Sequence, residues 1–192
     1  MRISGGQLKG RKVAGRKKVF SSGAGQGGLR PTSAKVREAV FDILQAEIRG
    51  AVFLDLYAGT GAVGLEALSR GAEKVFFVEN NLVRSKSIED YIKKTGFDEM
   101  AGVYRKSVDQ FLNDASESAL CFDIIFADPP YASDEIKNVF LLLDGNDVLK
   151  EGGCLMVEHR TGLRLREEMQ TLGFIKNYKY GDTMLTLYRK GR

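Results

Sequence analysis

The sequence predicts a single α/β domain built on a mostly parallel sheet with helices on both faces, and three observations predict it. Short, near-continuous apolar runs alternate with helix-patterned stretches from residue 52 onward. Glycine-rich or proline-rich turns follow the runs where a doubly wound sheet binds ligands. A length of 192 residues with 43% hydrophobic content is enough for one sizeable core.

The elements follow in order. After Pro31, Val36, Val40, Ile43, Leu44 and Ile48 repeat at helical spacing, so residues 33–48 predict an amphipathic helix. Val52 to Tyr57 is the first core strand, followed by a Gly-rich turn and a helix over residues 62–69. Lys74 to Glu79 predicts the second strand, and residues 82–94 a polar helix. Gly102 to Lys106, Phe122 to Ala127 and Gly153 to Glu158 predict further strands, separated by helices over 108–115 and 135–143. Phe174 to Lys179 and Met184 to Arg189 alternate and are joined through Tyr180-Gly181-Asp182, which predicts a closing antiparallel hairpin. Arg160, Arg164 and Arg166 are read as the solvated face of one more helix.

Charge divides the chain. Residues 1 to 37 hold ten basic side chains and no acidic one, while the net charge of the whole is only +4, so the remainder is acid-rich. An acid-free basic arm on an acidic body is what a polyanion-binding protein would show, although a solvated tail would look the same. A transit peptide is disfavoured by Gly5, Gly6, Gly10 and Gly15, which break an amphipathic helix. Residues 1–29 are accordingly read as a basic arm with a flexible Gly/Ser-rich loop at 21–28, and residues 30–192 as the folded domain. No apolar run approaches membrane-spanning length, and the start has no apolar leader stretch. Cys121 and Cys154 read as buried reduced thiols of a cytoplasmic protein. A single histidine, His159, speaks against a metal cage and a Ser-His-Asp triad, and is given no role.

Two loops carry the chemistry. Asp55-Leu56-Tyr57-Ala58-Gly59-Thr60-Gly61 ends the first strand, and its glycines let backbone approach a ligand closely. Gly59 to Gly64 satisfies G-x-G-x-x-G, and Glu79 lies twenty residues beyond Gly59 at the tip of the second strand, placed to accept from ribose hydroxyls. This pattern indicates an adenosine-containing cofactor and leaves NAD and S-adenosylmethionine both open. Asp128-Pro129-Pro130-Tyr131 follows the fourth strand. Its two prolines stiffen a loop exposing two acceptors, the Asp128 carboxylate and the Pro129 carbonyl. Two acceptors can hold both hydrogens of a flat amino group and aim the nitrogen lone pair in line at a methyl group. The carboxylate then stabilises the positive charge that develops on nitrogen, and the Tyr131 ring offers a stacking surface for a base. An NAD-dependent oxidoreductase would give this tetrad no purpose, and a non-catalytic RNA-binding module would not need it intact. The tetrad fits guanine N2 and adenine N6 equally, on RNA or DNA.

Asp55-x-x-x-Gly59-x-Gly61 followed by Asp128-Pro129-Pro130-Tyr131 resembles the Rossmann-like class I methyltransferases that act on amino groups. Met1-Arg2-Ile3-Ser4-Gly5-Gly6 with Lys9-Gly10-Arg11-Lys12, Arg30-Pro31-Thr32 with Val36 to Phe41, and Gly64 to Ala72 resemble the RsmD family of bacterial 16S rRNA guanine-N2 methyltransferases, from Met1 to about Glu158. The resemblance implies a seven-stranded sheet and S-adenosyl-L-methionine as cofactor. It implies a guanine of rRNA as target, within an assembling small ribosomal subunit; a monomer without metal or membrane contact is expected. It further implies that Asp55, Tyr57, Ala58, Gly59, Thr60 and Gly61 hold the methionine part, and that Glu79 with Asn80 holds the ribose. Ser107 and Val108 would flank the adenine, where Ser-Val replaces the more usual Gly-Asp. Asp128 to Tyr131 would hold the guanine, the loop of Arg30 and Thr32 would close over it, and Arg11 and Lys12 would meet RNA. A base held this way must leave its stack.

Overall fold

The computed structural model describes residues 2–13, 32–130, 133–166 and 169–191. Its elements are α1 (Ala34–Ile43), β1 (Val52–Leu56), α2 (Ala62–Ser69), β2 (Lys74–Val78), α3 (Leu82–Thr95), β3 (Ala101–Tyr104), α4 (Val108–Glu117), β4 (Phe122–Ala127), α5 (Ser133–Gly145), β5 (Leu149–Arg160), β6 (Leu172–Tyr180) and β7 (Thr183–Lys190). They form one seven-stranded sheet in the order β3-β2-β1-β4-β5-β7-β6. β3, β2, β1, β4 and β5 run parallel, and β7 is antiparallel to both β5 and β6. This is the class I methyltransferase arrangement the sequence implied, hairpin included.

The parallel strands are apolar on both faces because both faces are covered. One cluster gathers Phe41, Phe53, Leu65, Val75, Phe77 and Ile124 with α1, α2 and α3. The other gathers Leu54, Leu56, Phe111, Phe122, Ile125 and Phe140 with α4 and α5. Helix starts follow their caps. Ser33 accepts from Val36 N, Asn81 from Val83 and Arg84 N, and Ser107 forms a reciprocal capping box with Gln110. α3 stops at Gly96, whose φ of 75° is left-handed.

The closing hairpin joins the sheet through its second strand: β7 sits between β5 and β6. Three expectations are corrected. Arg160, Arg164 and Arg166 are not on a helix. β5 runs as far as Arg160, a turn follows, and residues 163–166 are irregular. Nothing there matches the apolar stripe a surface helix needs, because Leu163 is exposed and Leu165 only half-buried. Of the two cysteines, both free, Cys154 is buried within β5 but Cys121 is half-exposed just before β4. The helix expected over 33–48 is regular only to Ile43 and unwinds into turns.

Part of the basic arm is packed. Residues 2–13 fold back on themselves, with Ile3 N donating to the Arg11 carbonyl and Gly10 N to the Ile3 carbonyl. They bury Ile3, Leu8 and Val13 in the first cluster, each contributing roughly 1.5–3 kcal/mol. Arg2, Lys9, Arg11 and Lys12 stay exposed. The Gly/Ser-rich stretch 21–28 lies outside the described residues. Among those described, no helix is long and apolar enough to cross a membrane.

Candidate active site at the strand tips

Strand register sets the site. Leu56 of β1 pairs with Val78 of β2 and Ala127 of β4, and Ala127 pairs with Val157 of β5. The next residues, Tyr57, Glu79, Asp128 and Glu158, therefore lie at one level along the sheet's carboxyl edge, where an open α/β sheet binds ligands.

The glycine loop is built for close approach. Tyr57, Gly59 and Gly61 have φ of 60°, 56° and 71°. A left-handed tyrosine is uncommon, and such strain concentrates at functional sites. Gly61 N closes the turn on the Ala58 carbonyl at 2.7 Å. A Cβ on Gly64 would stand 2.3 Å from the Phe77 ring. The third glycine of the motif thus lets α2 lie against β2.

Two acids organise this loop. Asp55 Oδ2 accepts from Gly64 N at 2.9 Å, inside the turn that opens α2. Glu79 Oε2 accepts from Gly59 N at 2.8 Å and Oε1 from Asn81 N at 2.9 Å, and Arg84 stands 3.7 Å from Oε1. Burial lifts the Asp55 carboxyl to about 7, with the Gly64 amide opposing and nearby Glu79 adding to the rise. Tyr57 is half-buried and donates from its hydroxyl to Glu135 Oε2 at 2.8 Å. Burial first, and Glu135 second, raise its pKa.

Asp128 begins the proline loop. Its backbone is tied to β1 by a 3.5 Å bond from Asp128 N to the Leu56 carbonyl. Thr32, just before α1, donates to Asp128 Oδ2 at 3.4 Å. The Asp128 carboxyl is raised well above its ordinary value by burial first and by Glu158 next, with Thr32 opposing. Pro129 is buried and Pro130 exposed. Tyr131 and Arg30 lie outside the described residues.

The remaining predicted residues are spread around this edge. Ala58 and Gly59 are buried, Thr60 half-buried and Asn80 exposed beside Glu79. Ser107 uses its hydroxyl as the α4 cap, and Val108 is buried. Arg11 and Lys12 are exposed on the packed arm, which is bonded to Glu66 and Ser69 of α2 and to Arg37 of α1. His159 is buried in β5. Its Nε2 meets Thr186 Oγ1 at 2.7 Å, its Nδ1 donates to the Arg160 carbonyl at 3.0 Å, and burial lowers its pKa. Sequence reasoning missed Glu158 as the acid acting on Asp128. Its position one residue past Val157, at the tip of a core strand, was the available signal.

The conserved hypothetical protein 95 family matches residues 1–189. YlbH of Bacillus subtilis is 33% identical over 190 residues, 99% of each chain. The chain belongs to the RsmD family. Ribosomal RNA small subunit methyltransferase D of Escherichia coli is 33% identical over 158 residues, 82% of this chain and 74% of that one. Among solved structures, the Thermus thermophilus 16S rRNA N2 G1207 methyltransferase RsmC, in complex with AdoMet and guanosine, superposes with a TM-score of 0.68 at 26% identity. That match covers 90% of this chain and 45% of RsmC. Within the RsmD family frame, the strand-tip acids and the glycine loop occupy the ligand edge of a methyltransferase sheet.

Proposed function

We propose that this chain is an S-adenosylmethionine-dependent methyltransferase acting on the exocyclic N2 amine of a guanine in small-subunit 16S rRNA. The observation that carries it is Asp128. It is an acid held at the tip of β4, beside Pro129, on the same level as Glu79. The RsmD membership, and the guanosine and AdoMet bound by RsmC, support guanine over adenine.

The residues present suit the cofactor. Glu79 is anchored by two backbone amides and faces the edge where a ribose would offer hydroxyl donors. The Gly59–Gly61 backbone leaves room for the methionine part, and Asp55 supports the same turn through its bond from Gly64 N. S-adenosylmethionine supplies an electrophilic methyl group on a sulfonium. The chain's own part is positioning: the Asp128 carboxylate and the Pro129 carbonyl each accept one amine hydrogen, so the nitrogen lone pair points at the methyl. As nitrogen took the methyl and the sulfonium carbon–sulfur bond broke, Asp128 would stabilise the positive charge on nitrogen, which would then release one proton to solvent. Burial first of all raises the Asp55 and Asp128 carboxyls, and a cation arriving at the site would draw both toward the ionised form.

Tyr131 is assigned the stacking face for the base, and Ser107 with Val108 the adenine side. Arg11, Lys12, Arg30 and Thr32 are assigned to the substrate side, with residues 1–29 as the RNA-facing arm of a 30–192 methyltransferase domain. The substrate form is taken to be an assembling small subunit in the cytoplasm, and the enzyme a monomer. Incubating the protein with methyl-labelled S-adenosylmethionine and small subunits from cells lacking it should place label on one guanine N2 of 16S rRNA. Label on adenine, or none on any RNA, would overturn the reading.

A further inference from the structure

α2 is unusual in having every residue buried, two polar side chains among them: Glu66 is wholly inaccessible and Ser69 nearly so. Both are satisfied by the N-terminal segment. Glu66 Oε2 accepts from Ser4 N at 2.8 Å and from Arg37 Nε at 3.3 Å. Its Oε1 accepts from Ser4 Oγ at 2.8 Å, Gly5 N at 2.7 Å and Arg70 Nε at 3.0 Å. Ser69 accepts from Leu8 N through its hydroxyl and from Gln7 N through its carbonyl, and donates to the Gly5 carbonyl. Arg37, on α1, also donates from Nη2 to the Arg2 carbonyl at 2.8 Å. The fit leaves no slack, since a Cβ on Gly6 would stand 1.7 Å from the Ser69 carbonyl oxygen.

Three elements therefore meet on one carboxylate. α2 starts at the Gly59–Gly61 loop, α1 starts beside Thr32, which donates to Asp128, and residues 2–13 carry exposed Arg2, Lys9, Arg11 and Lys12. We infer that Glu66 is a positioning residue that locks the basic N-terminal segment, α1 and α2 into one body, fixing the distance between the groups that meet RNA phosphates and the Thr32–Asp128 contact that meets the target base. Burial alone would raise its pKa, but the Ser4 and Arg70 donors outweigh it and hold the carboxyl below its ordinary value, so the lock stays charged. The inference rests on the RNA methyltransferase reading for what the basic segment holds.

The test uses the full chain, methyl-labelled S-adenosylmethionine and small subunits from cells lacking the protein. Glu66→Gln keeps the volume but replaces an acceptor by a donor facing Ser4 and Arg37. It should raise KM for the subunit about tenfold and lower kcat about tenfold, while the Kd for S-adenosylmethionine by calorimetry stays within about twofold. Gly6→Ala, which lifts the segment off α2 without touching the charges, should give the same split and serves if Glu66→Gln fails to fold. In an Arg11→Ala/Lys12→Ala background, Glu66→Gln should raise KM by less than about twofold, because the contacts it positions are already gone. A lowered Tm with unchanged KM and kcat, or effects that simply add to those of Arg11→Ala/Lys12→Ala, overturns the inference. Wild-type protein that transfers no label to any RNA overturns the functional reading instead.

Discussion

Two carboxylate sites in this molecule behave in opposite ways. Glu66, under the N-terminal segment, receives five hydrogen bonds from the chain itself and is held below its ordinary pKa. Asp128, at the sheet edge, receives one long bond among the described residues, from Thr32, faces Glu158, and is held above its ordinary pKa. Asp55 has one amide and sits at about 7. A carboxylate saturated by its own fold serves architecture, whereas one left short of donors is kept for donors that arrive with a ligand.

The comparison breaks first at Asp128. Asp128→Ala should lower kcat for methyl transfer by about 10³-fold, the scale of losing one charge-stabilising group, while the S-adenosylmethionine Kd changes by less than about threefold. Near wild-type turnover would move the catalytic centre elsewhere.

The second test is pH. The folded protein keeps a proton on Asp55 up to about 7, whereas the unfolded chain loses it near 3.8. The folded state thus binds more protons across that window, and its stability falls as pH rises from about 4 to 7. Ligand-free protein should melt at lower temperature at pH 7.5 than at pH 5, and Asp55→Asn should flatten the trend. A cationic ligand favours the ionised acid, so S-adenosylmethionine affinity should rise up to about tenfold from pH 6 to 7 and then level off. Calorimetry would detect the released proton as a buffer-dependent binding enthalpy.

Smaller effects sharpen the contrast between the arm and the edge. Arg11→Ala/Lys12→Ala should raise KM for the subunit several-fold and reduce the slope of log KM against log salt by about 1 to 2, with cofactor affinity unchanged. An unchanged slope would remove these side chains from the interface. Smallest of all, Tyr57→Phe deletes the half-exposed bond to Glu135 and should cost no more than about 1 kcal/mol in denaturant unfolding.

How legible this was depends on range. β4 and α2 begin and end where periodicity puts them, because an apolar run bounded by Asp and Pro, or by Gly at both ends, is a local signal. The strand-tip loops were legible for the same reason. The insertion of β7 was not: a hairpin reads identically whichever of its strands joins the sheet, and only pairing with β5 decides it. The irregular path of 161–166 was hidden by arginines that suit a helix surface as well as a loop. Glu66 and Arg70 are visible as an i,i+4 pair, which ordinarily means a solvated face. That this face is roofed by residues 61 to 62 positions earlier could not be read from spacing.

The place of β7 also sets an order of assembly. On a ribosome, residues up to Tyr180 emerge with the β5 edge uncovered, and β6 has no partner until Thr183–Lys190 follow. Until β7 follows, the nascent sheet has an open, hydrogen-bonding border, the kind of border that recruits chaperones or pairs with a neighbouring chain. The strand that seals it comes after both of the strands it joins.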